Sequence, residues 1–139
     1  MKTYQFPKEE RLCSKRLIDS LFHNGSSFFI YPYRVVFIRV TGLAPKVQVV
    51  LSVSKRRFSR AVHRNLLKRR MREAYRLQKG QLLYPSLEKQ PYGLAVAIQY
   101  VGKTLLDYPM MHVRMADALA KLRDAHLSEG NIPDSHERG

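Results

Sequence analysis

The first apolar pattern along the chain predicts a short helix near the N-terminus. Ser14 is a favourable N-cap, and the helix is expected to run to about His23. Asn24-Gly25 follows and predicts that the helix ends on a left-handed residue, a conformation that glycine adopts without strain. The apolar side chains recur at helical spacing and form one face, made of Leu17, Ile18, Leu21 and Phe22.

Two extended segments follow this helix. Aromatic and β-branched residues from Phe28 to Val40 are typical of a strand, and Pro32 places the early part of that strand at a sheet edge or a bulge. A turn over residues 41–45 leads to a second strand, from Lys46 to Val53, in which apolar residues alternate with others. We expect the two strands to form a hairpin.

A long helix and a third strand come next. The helix is predicted from about Arg60 to Lys79, with Ser59 as its N-cap and Gly80 at its end. Residues 82–91 contain two prolines and predict a loop. The run Leu94–Ile98 is continuously apolar, which is typical of a strand that is buried on both faces.

A last helix completes the predicted domain. It runs from about Pro109 to His126, after Asp107, because proline is favourable in a first helical turn. Its buried face is expected to carry Val113, Met115, Ala116, Leu119, Ala120 and Leu122. The element order αββαβα predicts one α+β domain over residues 1–128, with a mostly antiparallel sheet covered by helices. The polar residues 129–139 predict a disordered tail.

Composition narrows the class of protein. The chain has 139 residues, enough for one domain, and 45% of them are hydrophobic, so that a core can form. The sequence has no apolar segment long enough to span a membrane and no recognisable signal peptide. Cys13 is the only cysteine, which excludes an internal disulfide and a multi-cysteine zinc site. These features predict a cytoplasmic protein in a reducing compartment.

The positive charge is concentrated on the long helix and the loop before it. The net charge is +14, and residues 55–79 contain eleven basic residues but a single acidic one, Glu73. On a helical projection the basic ridge consists of Arg64, Lys68, Arg72 and Arg76, with Asn65, Arg69 and Lys79 beside it. The residues on a neighbouring arc predict the face that packs on the sheet, and they are Leu67, Met71, Ala74 and Tyr75.

Such a concentration of one charge predicts a partner that carries phosphates. Like charges four residues apart weaken a helix, so that stability alone does not explain the ridge. A solvated charged face is the alternative interpretation. Arginine offers planar donors to phosphate, and the N-terminus of a helix favours anions. The predicted phosphate contacts include the strand-to-helix loop and are Lys55, Arg56, Arg57, Arg60, Arg64, Asn65, Lys68, Arg69, Arg72 and Arg76.

The start of the long helix also carries a distinctive motif. Residues 58–75 read FSRAVHRNLLKRRMREAY, and the stretches FPKEERL, SLFHNG and LSVSK occupy residues 6–12, 20–25 and 51–55. In order and spacing, these four stretches resemble the bacterial ribonuclease P protein component. The resemblance covers residues 6–122. One position departs from the family pattern, because Leu66 stands where a basic residue is usual.

The resemblance implies a division of labour between protein and RNA. In this family the RNA subunit performs the hydrolysis that removes the 5′ leader from precursor tRNA, with magnesium ions held mainly by the RNA. The protein would bind the RNA subunit through the basic helix, and the leader in a cleft between the sheet and the N-terminal helix. The residues that would line the cleft are Ile18, Phe22 and Phe37.

The resemblance also implies a particular topology. Members of the family resemble one domain of certain ribosomal proteins and of elongation factor G, with a left-handed βαβ crossover. General rules of chain connection favour the opposite hand. The handedness is therefore an expectation from the resemblance and not from the residue pattern.

Two other functions compete with this interpretation. A ribosomal RNA-binding module would carry the same charge, but it is not expected to combine the helix motif with the N-terminal cleft elements. A self-sufficient protein nuclease would need an acid–base or metal constellation, and the five histidines show no metal-ligand spacing. We therefore expect no catalytic residue, metal site or obligate protein partner, and we expect the RNA subunit and precursor tRNA as partners.

Overall fold

The computed structural model describes residues 6–128 and 134–135, which form helices and a mixed sheet. The helices are α1 (Lys15–Asn24), α2 (Ala61–Leu82) and α3 (Tyr108–Leu127), and short 3-10 helices cover Lys8–Glu10 and Tyr84–Leu87. The strands are β1 (Ser26–Ile30), β2 (Tyr33–Thr41), β3 (Val47–Val53), β4 (Tyr92–Tyr100) and β5 (Asp134–Ser135). The predicted α+β class is confirmed.

The order of the strands differs from their order in the chain. They lie in the order β1-β2-β4-β3, and β5 pairs with β2. β1 and β4 are both antiparallel to β2, whereas β3 runs parallel to β4. The predicted hairpin between β2 and β3 is therefore wrong. The cause is the apolar run Leu94–Ile98 of β4, which is at most 1% exposed and is buried best in a central position.

The predicted disordered tail, residues 129–139, lies outside the described residues except at β5. That short strand runs parallel to β2, with Asp134 opposite Arg39 and Ser135 opposite Val40. At these two positions the chain is therefore in a strand.

The predicted strand over residues 28–40 is in fact two strands. A turn at Tyr31-Pro32 folds β1 back onto β2, so that Ile30 pairs with Tyr33. Proline lacks the N–H that a continuous ladder needs, and the Pro32 carbonyl accepts a hydrogen bond from the Val101 N–H at 2.7 Å. Pro32 therefore marks a turn, and the early part of the predicted strand, β1, lies at the edge of the sheet as we predict from the sequence.

Side-chain caps start two of the helices, and the cap at Ser14 is the one that the sequence predicts. The side-chain oxygens of Ser14 and Asp107 each accept a hydrogen bond from the backbone N–H three residues later, at 3.2 and 3.0 Å. Gly25, after α1, is extended (φ −75°, ψ 159°), so that the predicted left-handed end is wrong. Glycine is required there for another reason, because a Cβ would lie 2.4 Å from the Leu21 carbonyl oxygen.

Both ends of α2 differ from the prediction. Arg60 is at the N-cap position and makes no side-chain capping bond, so that the predicted cap, Ser59, is wrong. The helix also continues through Gly80. Tertiary packing extends it, because Leu83 is fully buried and its N–H donates to the Lys79 carbonyl at 3.0 Å.

Helices cover both faces of the sheet. α2 and α3 pack on one face, where alternate residues of β4, such as Val96, belong to the larger core. α1 packs on the other face, where the same strand presents the small residues Ala95 and Ala97. The sheet therefore has a thick core on one side and a thinner one on the other.

The buried face of α3 is rotated from the predicted one. Val113 is 57% exposed, and Ala116 and Ala120 are only partly buried. The Tyr33 hydroxyl donates to the Met111 carbonyl at 2.9 Å and fixes the first turn of α3 against the sheet. The side chains that α3 buries are Met111, Met115, Ala118, Leu119, Leu122 and His126.

His126 is fully buried among polar groups at the end of α3. Its Nε2 lies 2.7 Å from the Ser86 hydroxyl oxygen, and its Nδ1 lies 3.1 Å from the Tyr92 hydroxyl oxygen. Burial lowers the pKa of His126 from its ordinary 6.5 to about 4, and the positive charge of Arg39 acts in the same direction. The folded protein therefore keeps this imidazole neutral at neutral pH.

We predict an acid-sensitive component of stability at His126. Between pH 6.5 and pH 4 the unfolded chain binds a proton here that the folded chain does not. As the pH falls through this window, up to about 3 kcal/mol of stability is therefore lost. The melting temperature of the full chain should fall more steeply from pH 7 to pH 4 for the native sequence than for His126→Gln, because glutamine does not titrate. Parallel pH profiles for the two proteins would contradict this assignment.

Candidate nucleic-acid interface

α2 has an apolar side and a basic side. The apolar side is fully buried against the sheet and α3, as predicted, and consists of Leu67, Met71, Ala74 and Tyr75. Arg70 lies at the boundary between the two sides. Its guanidinium donates to the Leu106 carbonyl, in the loop before α3, and so fixes α2 to that loop.

The basic side of α2 is not neutralised by carboxylates. Within residues 6–128, no ion pair involves seven of the predicted phosphate contacts, which are Lys55, Arg56, Arg57, Arg60, Lys68, Arg69 and Arg72. Lys68 is partly buried, and the other six are exposed. We call these seven residues, together with the exposed Asn65, the basic face. No carboxylate within residues 6–128 neutralises these seven cations. The basic face therefore attracts polyanions.

Arg64 and Arg76, the other two predicted arginines, have partners within the protein. Arg64 Nη1 donates to the carbonyls of Phe58 at 2.9 Å and Ser59 at 2.8 Å, and so braces the loop that enters α2. Arg76 Nε donates to the Glu73 carboxylate at 3.2 Å, and this hydrogen bond lowers the pKa of Glu73. Both arginines therefore have structural contacts that a helical projection does not reveal.

Lys79 lies outside the basic face, although the helical projection places it beside the ridge. Its side chain is fully buried and forms an ion pair with the Glu10 carboxylate, which also accepts a hydrogen bond from the Tyr84 hydroxyl. Its Nζ also lies 5.7 Å from the ring centre of Phe6 and 4.8 Å from that of Tyr84. Lys79 therefore joins α2 to the N-terminal segment.

α1 and the sheet form a second surface, on the face opposite α2. Ile18 is partly buried against the sheet, and Phe22 is 46% exposed. The prediction that Phe37 lines the same cleft is wrong. Phe37 is 2% exposed in the core on the other face, where its ring centre lies 6.2 Å from that of Phe28. The side chains of a strand alternate between faces, and in β2 the neighbouring Val36 is the one that packs with α1.

A row of side chains crosses the sheet on the α1 face. Strand pairing puts four residues side by side, and we call them the polar row: Ser52 of β3, Gln99 of β4, Arg34 of β2 and Phe29 of β1. Arg34 Nη1 donates to Gln99 Oε1 at 2.8 Å, and Phe29 is 65% exposed. Sequence reasoning misses this row. Alternation within each strand indicates which face a residue is on, but only the strand order aligns the four residues.

Comparison with known proteins assigns the family. A family model for ribonuclease P matches residues 6–96. The chain belongs to the ribonuclease P protein family. It is 36% identical over 134 residues to the ribonuclease P protein component of Porphyromonas gingivalis, a match that covers 96% of this chain and 93% of that protein. Identity to the corresponding protein of Chlorobium phaeobacteroides is 33% over 131 residues, which cover 87% and 90% of the two chains.

Solved structures of ribonuclease P proteins share the fold. The protein from Thermotoga maritima matches with a TM-score of 0.64 at 23% identity, over 81% of this chain and 96% of that chain. The protein from Staphylococcus aureus matches with a TM-score of 0.59 at 15% identity, over 81% and 94% of the two chains. At these identities the likeness concerns the fold, and it confirms the α+β architecture.

The described residues contain neither a metal-binding cluster nor a helix that could span a membrane. Among residues 6–128 and 134–135, no three His, Cys, Asp or Glu side chains are close enough together to hold a metal ion. In the same part of the chain, no helix has the length and apolar character needed to cross a membrane. The surfaces that remain as candidate interfaces are the basic face and the polar row.

Proposed function

We propose that this chain is the RNA-binding subunit of a ribonuclease P ribonucleoprotein, the endonuclease that removes the 5′ leader from precursor tRNA. The observation that carries the proposal is the basic face of α2, whose seven cations have no ion pair among the described residues. The basic face would bind the RNA subunit. Membership of the ribonuclease P family supports this RNA as the partner among the possible polyanions.

The composition and length of the basic face support binding to a folded RNA. Five of its residues are arginines, whose planar guanidinium groups can donate two parallel hydrogen bonds to a phosphate. From Arg60 to Arg72 the face extends for roughly 18 Å along α2. It can therefore contact several phosphates, and each contact releases counterions and makes binding dependent on salt.

The leader would bind on the α1 face, in a groove between α1 and the polar row. Phe22 and Phe29 expose aromatic rings on this face, and unpaired bases stack on such rings without regard to sequence. The Arg34–Gln99 pair offers a cation and an amide for the phosphates and base edges. The β3 end of the row is three residues before Lys55, so that the groove would lead into the basic face.

The hydrolysis itself would belong to the RNA subunit. The resemblance implies magnesium ions held mainly by RNA, and among the described residues no three His, Cys, Asp or Glu side chains come together as an all-protein metal site. We therefore assign no catalytic residue to the protein. Its role would be to bind and orient the RNA subunit and precursor tRNA, which would place it in the cytoplasm.

Neutralising the basic face should weaken binding to the RNA subunit and flatten its salt dependence. Changing Lys68, Arg69 and Arg72 together to Ala should keep or raise thermal stability, because repulsion between like charges is removed. The slope of log affinity against log salt should decrease by roughly one unit for each phosphate that the variant no longer neutralises. The measurement is the affinity of the full chain for the RNA subunit over a range of salt concentrations.

A control variant removes the same charge from other parts of the surface. Lys8, Lys89 and Lys103 are exposed and lie outside α2, and changing them together to Ala should affect only the long-range attraction, which salt screens. The salt slope should therefore change less in this control variant than in the α2 variant. If the slope of the α2 variant equals that of the native chain, the basic face is not part of the binding surface.

Removing an aromatic ring from the groove should weaken binding of the leader alone. Phe22→Ala and Phe29→Ala each delete an exposed ring, and removal of a stacking partner costs about 1–3 kcal/mol per base. In the complex with the RNA subunit, affinity for precursor tRNA should fall by this amount, whereas affinity for mature tRNA, which has no leader, should not change. Melting temperatures should stay close to native, because both rings are exposed.

Tyr31→Ala is the matched control for these two variants. Tyr31 is 53% exposed, but its side chain lies near α3, beside Met110 and Arg114. This variant should bind precursor tRNA like the native chain. Equal reductions in affinity for precursor and mature tRNA in the Phe22 and Phe29 variants would show that the leader lies elsewhere.

A further inference from the structure

An open, shallow cavity of about 430 Å³ lies between α2 and the start of α3, next to the basic face. The proposed leader groove is on the other face of the sheet, so that the two sites are separate. The cavity combines an aromatic ring, an aliphatic side chain and charges of both signs. Its walls are formed by Leu66, Arg69, Arg70, Arg72, Glu73 and Tyr108.

Tyr108 and Leu66 provide the apolar part of the cavity. Both side chains are partly buried, so that each keeps some accessible surface. The Tyr108 ring is held in place, because its hydroxyl oxygen lies 3.0 Å from Nδ1 of His112, one turn later in α3. The side chain of Asp107 caps the same helix. A ring that is already fixed loses little conformational freedom when a ligand stacks on it.

The charges of the cavity are arranged by sign. Arg69 and Arg72 belong to the exposed basic face and have no ion pair within residues 6–128. Glu73 contributes a carboxylate, and the hydrogen bond that it accepts from Arg76 lowers its pKa. Arg70 is fixed by its hydrogen bond to a backbone carbonyl. The cavity therefore combines two exposed cations, a guanidinium that is fixed to the backbone and one exposed carboxylate that is paired with Arg76.

This arrangement matches the two parts of a nucleotide. A carboxylate repels phosphate but accepts hydrogen bonds from the amino and imino groups at the edge of a base. An aromatic ring stacks on the face of any base, and exposed arginines attract the phosphate that follows it. The base would therefore lie inside the cavity and the phosphate at its rim.

We propose that the cavity binds one unpaired nucleotide of the ribonuclease P RNA subunit, with its base on Tyr108 and Leu66 and its phosphate at Arg69. The inference rests on the proposed function and adds a base contact to the phosphate contacts of the basic face. The RNA subunit is the source, because the cavity adjoins α2, whereas the leader groove lies across the sheet. Stacking does not depend on counterion release, so that this contact contributes affinity without adding to the salt dependence.

Two substitutions of Tyr108 test the stacking contact. Tyr108→Ala should weaken binding of the full chain to the RNA subunit by roughly 10- to 100-fold, the range for one stacked base, and should leave the salt slope unchanged. Tyr108→Phe keeps the ring and removes only the hydroxyl, so that its affinity should stay within roughly threefold of native. Tyr31→Ala, an exposed aromatic residue outside the cavity, should bind like the native chain.

Ultraviolet cross-linking of the native complex tests the site without any substitution. After irradiation of the native chain bound to the RNA subunit, mass spectrometry should identify a nucleotide attached to Tyr108 or to a neighbouring residue of the cavity. If the melting temperature shows that Tyr108→Ala is unfolded, this measurement on the native chain still tests whether a nucleotide binds in the cavity. Cross-links confined to the loop 55–60, with none at the cavity, would overturn the inference.

The failure of this inference is distinguishable from the failure of the proposed function. If the native chain does not bind the RNA subunit, the proposed function is wrong, and the inference is wrong with it. If the native chain binds and a folded Tyr108→Ala variant binds equally well, the inference alone is overturned.

Discussion

The architecture depends on a central strand whose two faces carry side chains of different size. In β4, Leu94, Val96 and Ile98 belong to the core beneath α2 and α3, whereas Ala95 and Ala97 belong to the core beneath α1. All five are at most 1% exposed, so that helices must cover both faces. The alanines allow α1 to lie close to the sheet. The two candidate RNA surfaces are on opposite faces for this reason.

The N-terminal segment connects the two faces through a buried ion pair. Phe6 packs edge-on against Tyr75 of α2, with 5.2 Å between ring centres, and Glu10 pairs with the buried Lys79. The segment then bonds along the edge of β3 and leads into α1. Without Glu10, Lys79 would be an uncompensated buried charge, which is strongly destabilising. This pair therefore fixes the helix with the basic face and the segment that leads to α1 in one arrangement.

Local patterns predict the helices better than the sheet. A cap such as Ser14 and the apolar stripe of α2 act within a few residues, so that the sequence is sufficient to identify them. The position of β4 between β2 and β3 depends on long-range pairing. The alignment of the polar row depends in turn on this strand order. Strand register likewise decides on which face of the sheet the Phe37 side chain lies. Lys79 is buried by a partner 69 positions away, which a projection of one helix cannot show.

In the proposed function the protein binds and orients RNA, and the RNA subunit carries out the hydrolysis. The most direct test is the rate of leader removal from precursor tRNA by the purified full chain, by the RNA subunit and by the two together, over a range of magnesium concentrations. This function predicts no cleavage by the chain alone, and a lower KM for the two together than for the RNA subunit alone. Cleavage at the leader junction by the chain without the RNA subunit would contradict it.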